Sequence, residues 1–153
     1  MKKVEQEANT LMSEAIQLGI ERCVVGAIIE RGGRVLLLRR NFDDFMGGIS
    51  ELPSGKVEDK EELLIALERE ILEETSLNIE RTVAHIGSFD YASGSGKKTR
   101  QFNFFVEADK DLEPVVTPEE HSGFDWVART EIDEYPITES VKEILEKFWE
   151  LKK

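Results

Sequence analysis

The sequence predicts an α/β fold, a mixed sheet sandwiched between helices. Three observations predict it. An early pair of apolar runs is split by a tight turn signal. A central Glu/Leu-rich stretch repeats its apolar residues at helical spacing, and a second such stretch closes the chain after further alternating, strand-like segments. The resulting order, β–β–α–β–β–α with extra strands, suits a sheet covered on both faces.

Taken in order, residues 3–18 read as an amphipathic helix, with Val4, Ala8, Leu11, Met12, Ala15 and Leu18 at helical spacing and Gly19 suited to its C-terminal cap. This helix either packs on the domain or contributes to a homodimer, and the sequence leaves both open. Residues 22–30 form a strand, Arg31-Gly32-Gly33-Arg34 a turn, and Val35-Leu36-Leu37-Leu38 the returning strand. Continuous apolar runs of this kind fit strands covered on both faces. Arg39 and Arg40 close the second strand, where solvation is their plain role. Asn41 to Gly48, with Phe42, Phe45 and Met46, is a loop leading to Ile49-Ser50-Glu51-Leu52-Pro53-Ser54-Gly55.

The stretch Glu61 to Glu74 is the central helix, with Asp59 and Glu62 in a capping-box pattern before it. Leu63, Leu64, Leu67 and Ile71 form the stripe that faces a core. Glu70, Glu73 and Glu74 fall beside that stripe at i, i+3, i+4, where like charges repel by a few tenths of a kcal/mol per exposed pair, and by more with less water. A hard cation with oxygen ligands relieves that repulsion. A Glu triplet alone is more often a solvated face, since the chain has 32 acidic residues.

After the helix, Leu77 to Asp90 reads as a strand, and its His85 as a strand residue rather than a ligand. Tyr91 to Arg100, rich in Gly, Ser and basic residues, reads as a flexible hairpin tip in preference to a phosphate cradle. Gln101 to Glu107 alternates, with Phe102, Phe104 and Val106 on one face and Gln101, Asn103 and Phe105 on the other. The second face either reads a base with its amides or packs as plain core, and core is favoured slightly. A loop with Pro114 and Pro118 precedes Glu119-Glu120-His121 and the short strand Phe124 to Val127, with His121 expected to be a bystander. Thr138 caps a last helix whose stripe is Val141, Ile144, Leu145, Phe148, Trp149 and Leu151.

From Gly55 the chain reads G-K-V-E-D-K-E, seven residues, then R-E-I-L-E-E-T-S-L. This resembles the Nudix box, G-x5-E-x7-R-E-U-x-E-E-x-G-U with U aliphatic. Gly55, Glu61, Arg69, Glu70, Ile71, Glu73, Glu74 and Leu77 match, and Ser76 stands where the family has glycine. That glycine follows the helix end, where a left-handed backbone is common, so serine there carries strain or forces another cap. Before the box, Ser50 and Ser54 replace the Trp and first Gly of the family's W-E-L-P-G-G.

The resemblance implies an α/β/α sandwich and hydrolysis of a nucleoside diphosphate linked to another moiety. It implies a Mg²⁺ site, Mn²⁺ being the second choice, held by Glu70, Glu73 and Glu74 with the carbonyl near Gly55, and with Glu73 central. Arg69 would orient a carboxylate, and Glu61 would brace the helix or bind metal. Glu120, six residues before Trp126, would be a further ligand or the general base, with Glu119 as the near alternative and a solvated loop acid as the plain one. Arg39 or Arg40 would meet a phosphate; Gln101 and Asn103 are the candidate substrate contacts if their strand face lines the pocket rather than packing. The resemblance spans roughly residues 20–150, which divides the chain into an N-terminal helical extension, 1–19, and a hydrolase domain, 20–153.

The substrate expected first is a nucleoside triphosphate, oxidised ones included, because the late Glu-x5-Trp pattern resembles the MutT-type members. ADP-ribose or another dinucleotide or nucleotide sugar is the alternative. A non-catalytic nucleotide sensor is disfavoured by the intact box acids. An isopentenyl diphosphate isomerase is disfavoured because Cys23, the single cysteine, lies in an apolar early strand. A net charge of −12 argues against a nucleic-acid polymer as partner. With 153 residues the chain suits one domain. No signal peptide or membrane-length apolar run is present, so the expected setting is the cytoplasm and the expected partner a small nucleotide.

Overall fold

A computed structural model describes residues 3–44 and 46–152, and Phe45 of the Asn41–Gly48 loop lies outside the described residues, as do the two ends of the predicted 1–19 and 20–153 segments. The elements run α1 (Lys3–Gln17), β1 (Arg22–Arg31), β2 (Arg34–Arg40), β3 (Ser50–Glu51), β4 (Ser54–Lys56), α2 (Leu63–Thr75), β5 (Ile79–Ala92), β6 (Lys98–Ala108), β7 (His121–Ala128), a 3-10 segment (Arg129–Glu134) and α3 (Glu139–Leu151). The backbone order of the sheet is β3-β2-β1-β6-β5, with β4 on β1 and β7 on β2. β1 and β6 run parallel and the other pairs antiparallel, so the sheet is mixed, as predicted.

Alternation along the central strands sends side chains to two cores. Val25, Ala27 and Ile29 of β1 join Phe102, Phe104 and Val106 of β6 beneath Ala8 and Ala15 of α1 and Leu63, Ala66, Leu67 and Ile71 of α2. Ile28 and Leu37 point the other way, to Val141, Ile144, Leu145 and Phe148 of α3. Both faces are thus covered, which is the α/β/α sandwich, and each fully buried aliphatic side chain contributes roughly 1.5–3 kcal/mol. Two predicted stripe residues fall outside these cores, because Leu18 lies beyond the end of α1 and Leu151 on the last turn of α3; both are exposed. Among the described residues, no helix is long and apolar enough to cross a membrane.

β1 is shared between two partners, and this splits the sheet. Its first half pairs with β4, Val24 to Lys56, Val25 to Gly55 and Gly26 to Ser54, while only its end, Glu30 and Arg31, pairs with β2. The short strands β3 and β4 therefore sit in a fork, joined by Leu52 and Pro53, whose carbonyl at Pro53 accepts from the Ala27 N–H at 2.9 Å. Neither strand was legible in the lead-in, because two or three residues show no period.

The capping box expected at Asp59 and Glu62 does not form. The helix begins at Leu63 with Glu62 as its N-cap, and no side chain caps it. Lys60 has a φ of 65°, and it is Glu61 that accepts from the Glu58 N–H at 2.9 Å. Arg69 accounts for the difference, since it draws the Glu61 carboxylate toward α2 at 2.8 Å. At the other end Ser76 adopts φ 63° and ψ 15°, donating its N–H to the Leu72 carbonyl. The serine thus takes the left-handed geometry that glycine adopts without steric cost. At α3, Thr138 Oγ1 accepts from the Val141 N–H at 3.2 Å, the cap read from sequence.

Replacing Ser76 by Gly is predicted to raise the urea midpoint, corresponding to about 1 kcal/mol, by removing the left-handed Cβ cost. An unchanged or lower midpoint in equilibrium unfolding would show that Ser76 is not strained.

Candidate active site

The site is built where α2 meets the fork. With Leu63, Leu67 and Ile71 turned into the core, Glu70, Glu73 and Glu74 emerge along its edge with graded exposure. The Glu74 residue is 9% exposed, and the Glu70 and Glu73 side chains are 15% and 59% exposed. β4 closes against the two more buried ones. The Ser54 N–H donates to Glu74 Oε1 at 2.7 Å. Gly55 lies so close to Glu70 that a Cβ there would stand 1.9 Å from Glu70 Oε2, which leaves glycine as the residue that fits.

Arg69 ties the group together. Its Nε and Nη2 donate to the two oxygens of Glu61 at 2.8 Å each, Nη1 to Glu70 at 2.8 Å and to Glu73 at 3.4 Å, and Nη2 also to the Lys56 carbonyl at 3.1 Å. The bidentate pair holds the Glu61 carboxyl below its usual range. Burial raises Glu70 even though Arg69 opposes it. Burial pushes Glu74 up to about 9, with the Ser54 hydrogen bond opposing and the charges of Glu51, Glu120 and Glu70 adding. A carboxyl in that state binds a proton at neutral pH unless a cation takes its place.

Glu120 arrives from the loop before β7. That loop is fastened to the C-terminal end of α2, where the Val115 N–H donates to the Thr75 carbonyl at 2.9 Å and Thr117 Oγ1 to the Glu73 carbonyl at 3.4 Å. Asn41 Nδ2 holds the Pro118 carbonyl at 2.9 Å, and Arg31 donates to the carbonyls of Asp109 and Leu112. As a result Glu120, Glu74 and a ring nitrogen of His121 lie within 4.8 Å of one another.

His121, expected beside Glu120 as a bystander, is 3% exposed, with Nε2 2.9 Å from Glu51 Oε2. Glu51 in turn accepts from Arg40 Nη1 at 3.1 Å, and Arg40 also pairs with Asp44 at 3.8 Å. No spacing rule links positions 51 and 121, so this pair had no signal in the sequence beyond the quoted Glu51 itself.

The remaining predicted residues are sorted by strand alternation. Glu51 stands opposite Leu38, on the α2 face, and Arg40 joins it there. Arg39 points to the other face and pairs with Asp125 at 3.0 Å. Gln101 and Asn103 are buried on the α3 face, where Gln101 Nε2 donates to Asn103 Oδ1 at 2.8 Å and Asn103 Nδ2 to the Gly87 carbonyl at 3.2 Å. Gly26 makes room for them, since a Cβ there would meet both amides within 2.7 Å. The structure thus brings Glu51, Glu70, Glu73, Glu74, Glu120, His121, Arg40 and Arg69 to one place and sets Arg39, Gln101 and Asn103 apart. Glu119 is exposed on the loop beside Glu120.

The NUDIX domain family model matches residues 20–148. The chain belongs to the Nudix family. The Nudix chain is 33% identical over 129 residues to the CTP pyrophosphohydrolase of Escherichia coli strain K12, an alignment covering 84% of this chain and 92% of that protein. It superposes on the MutT NUDIX hydrolase of Burkholderia pseudomallei with a TM-score of 0.70 at 30% identity, covering 82% of this chain and 96% of that one. It also superposes on the MutT protein of Methanosarcina mazei Go1 with a TM-score of 0.75 at 25% identity, covering 86% and 95%.

The raised Glu74 carboxyl predicts a pH effect on the metal-free Nudix chain. A carboxyl at about 9 when folded and 4.5 when free contributes stability that is whole below pH 4.5 and is lost as pH rises through 9. Glu74→Gln keeps the acceptor for Ser54 and removes that loss. Calorimetry in EDTA is expected to show the variant more stable than the parent by up to roughly 3 kcal/mol at pH 7 and equal to it near pH 4. Equal stability at both pH values would count against a buried protonated Glu74.

Proposed function

We propose that this Nudix hydrolase is a divalent-metal-dependent pyrophosphohydrolase of nucleoside triphosphates. One observation carries the metal requirement. Glu70 and Glu74 are pressed against the backbone of β4 beside Glu73 and Glu120, an arrangement of oxygen donors whose repulsion a hard cation offsets. The donor set fits Mg²⁺, with Mn²⁺ as the second choice, and Glu70, Glu73, Glu74 and the Gly55 carbonyl would hold it. The triphosphate assignment is supported by the likeness to a CTP pyrophosphohydrolase over nearly all of that protein's length.

A bound divalent ion screens phosphate charge and lowers the pKa of water. The chain's own residues supply the rest. Glu120, exposed at the end of a loop braced on α2, takes the proton of the attacking water on one carboxylate oxygen, and its other oxygen remains available to an ion. Arg69 fixes the orientation of Glu70 and Glu73 and acts as a positioning residue. Arg40, on the same face, brings positive charge to a phosphate oxygen. Arg39 lies on the other face, where its Nε pairs with Asp125, and the Gln101 and Asn103 side chains bond each other and the Gly87 carbonyl, so Arg40 is the arginine this reading assigns to phosphate.

Glu73→Gln is predicted to lower kcat on the order of 100-fold with an unchanged urea midpoint, because Glu73 is the most exposed of the three box acids. EDTA is expected to stop turnover and Mg²⁺ to restore it. The substrate class is tested by screening nucleoside triphosphates, oxidised nucleotides, ADP-ribose, dinucleoside polyphosphates and nucleotide sugars with product analysis. Cleavage of ADP-ribose without any release of pyrophosphate from triphosphates would overturn the assignment.

A further inference from the structure

We propose that His121 supplies a nitrogen ligand, through Nδ1, to a metal ion held with Glu74 and Glu120, so that this part of the site prefers a transition ion such as Mn²⁺ to Mg²⁺. The inference deepens the proposed function and rests on it for the presence of a metal at the carboxylates. Its own grounds are three features of His121. The ring is 3% exposed, and Nε2 lies 2.9 Å from Glu51 Oε2. An ionised carboxylate only accepts, so in the neutral ring the proton sits on Nε2 and the lone pair on Nδ1. Nδ1 is buried and has no hydrogen-bond partner. A ring nitrogen and oxygens of Glu74 and Glu120 lie within 4.8 Å of one another.

Together these supply the parts of a carboxylate–histidine–metal arrangement, in which a carboxylate fixes tautomer and ring orientation and the other nitrogen would be left for the ion. Glu51 is itself oriented by Arg40, which reaches both its oxygens at 3.1 and 3.4 Å. A histidine kept only for packing has no need of a buried acceptor without a partner. Imidazole nitrogen is a better ligand for first-row transition ions than for Mg²⁺, which favours oxygen and retains water; Mn²⁺ is the weakest of that series and serves here as its paramagnetic member.

The test loads the full chain with Mn²⁺ and records electron spin-echo envelope modulation, with histidine selectively labelled by ¹⁵N. The chain has two histidines, so His85→Gln is expected to keep the histidine-nitrogen modulation and His121→Gln to lose it. Isothermal titration is expected to show Mn²⁺ binding weakened about tenfold or more in His121→Gln and in Glu51→Gln, with Mg²⁺ binding affected less. Bound Mn²⁺ without histidine modulation, or no Mn²⁺ binding, overturns the proposal, as does an equal loss for both ions. If His121→Gln fails to fold, the labelled parent spectrum still decides. Mg²⁺-driven hydrolysis with a silent Mn²⁺ spectrum overturns the ligand and leaves the pyrophosphohydrolase reading intact. Histidine modulation without cleavage of any phosphoanhydride does the reverse.

Discussion

Packing two glutamates against the backbone of a three-residue strand is the constraint on which the site depends. Glu70 occupies the space that any side chain at Gly55 would fill, and Glu74 is pinned by the Ser54 N–H. Like charges in that position repel, and burial makes each more costly to ionise. Arg69 compensates part of the charge, but it is shared among Glu61, Glu70 and Glu73 and does not pair with Glu74. The edge of α2 therefore gathers more carboxyl groups than Arg69 compensates, and either a proton on Glu74 or a cation relieves the repulsion.

The sheet is shaped to make that packing available. Because β1 pairs with β4 over its first half and with β2 only at its end, the strands part and the segment from Ser50 to Lys56 fits between them. The fork places Glu51 near His121 and Gly55 near Glu70 within one short connection. The loop carrying Glu120 is tied to the far end of the same helix through Thr117 and Val115. Helix and fork thus meet through the Ser54 N–H on Glu74 and the close approach of Gly55 to Glu70, and helix and loop through the Thr117 hydroxyl and the Val115 N–H, so a shift of α2 along its axis would disturb all of these contacts.

Much of this was legible in the residues and some was not. The two-faced burial of β1 and β2, the stripes of α2 and α3, the Thr138 cap and the left-handed site at Ser76 follow from local periodicity and turn chemistry, which act between near neighbours in sequence. The capping box at Asp59 was misread because Arg69, eight residues beyond Glu61, competes for that carboxylate at 2.8 Å. The contact of His121 with Glu51 has no local signal because the two are seventy residues apart.

By itself the sequence determined the longer helices and strands, their amphipathic faces and the grouping of Glu70, Glu73 and Glu74, since helical spacing alone brings those three together. Only the tertiary structure decided which of two adjacent arginines faces the carboxylates, that Gln101 and Asn103 are spent on each other over Gly26, and that His121 is buried with one nitrogen unpaired. Those outcomes depend on strand register and on contacts between distant segments, and neither is encoded in the spacing of any single stretch.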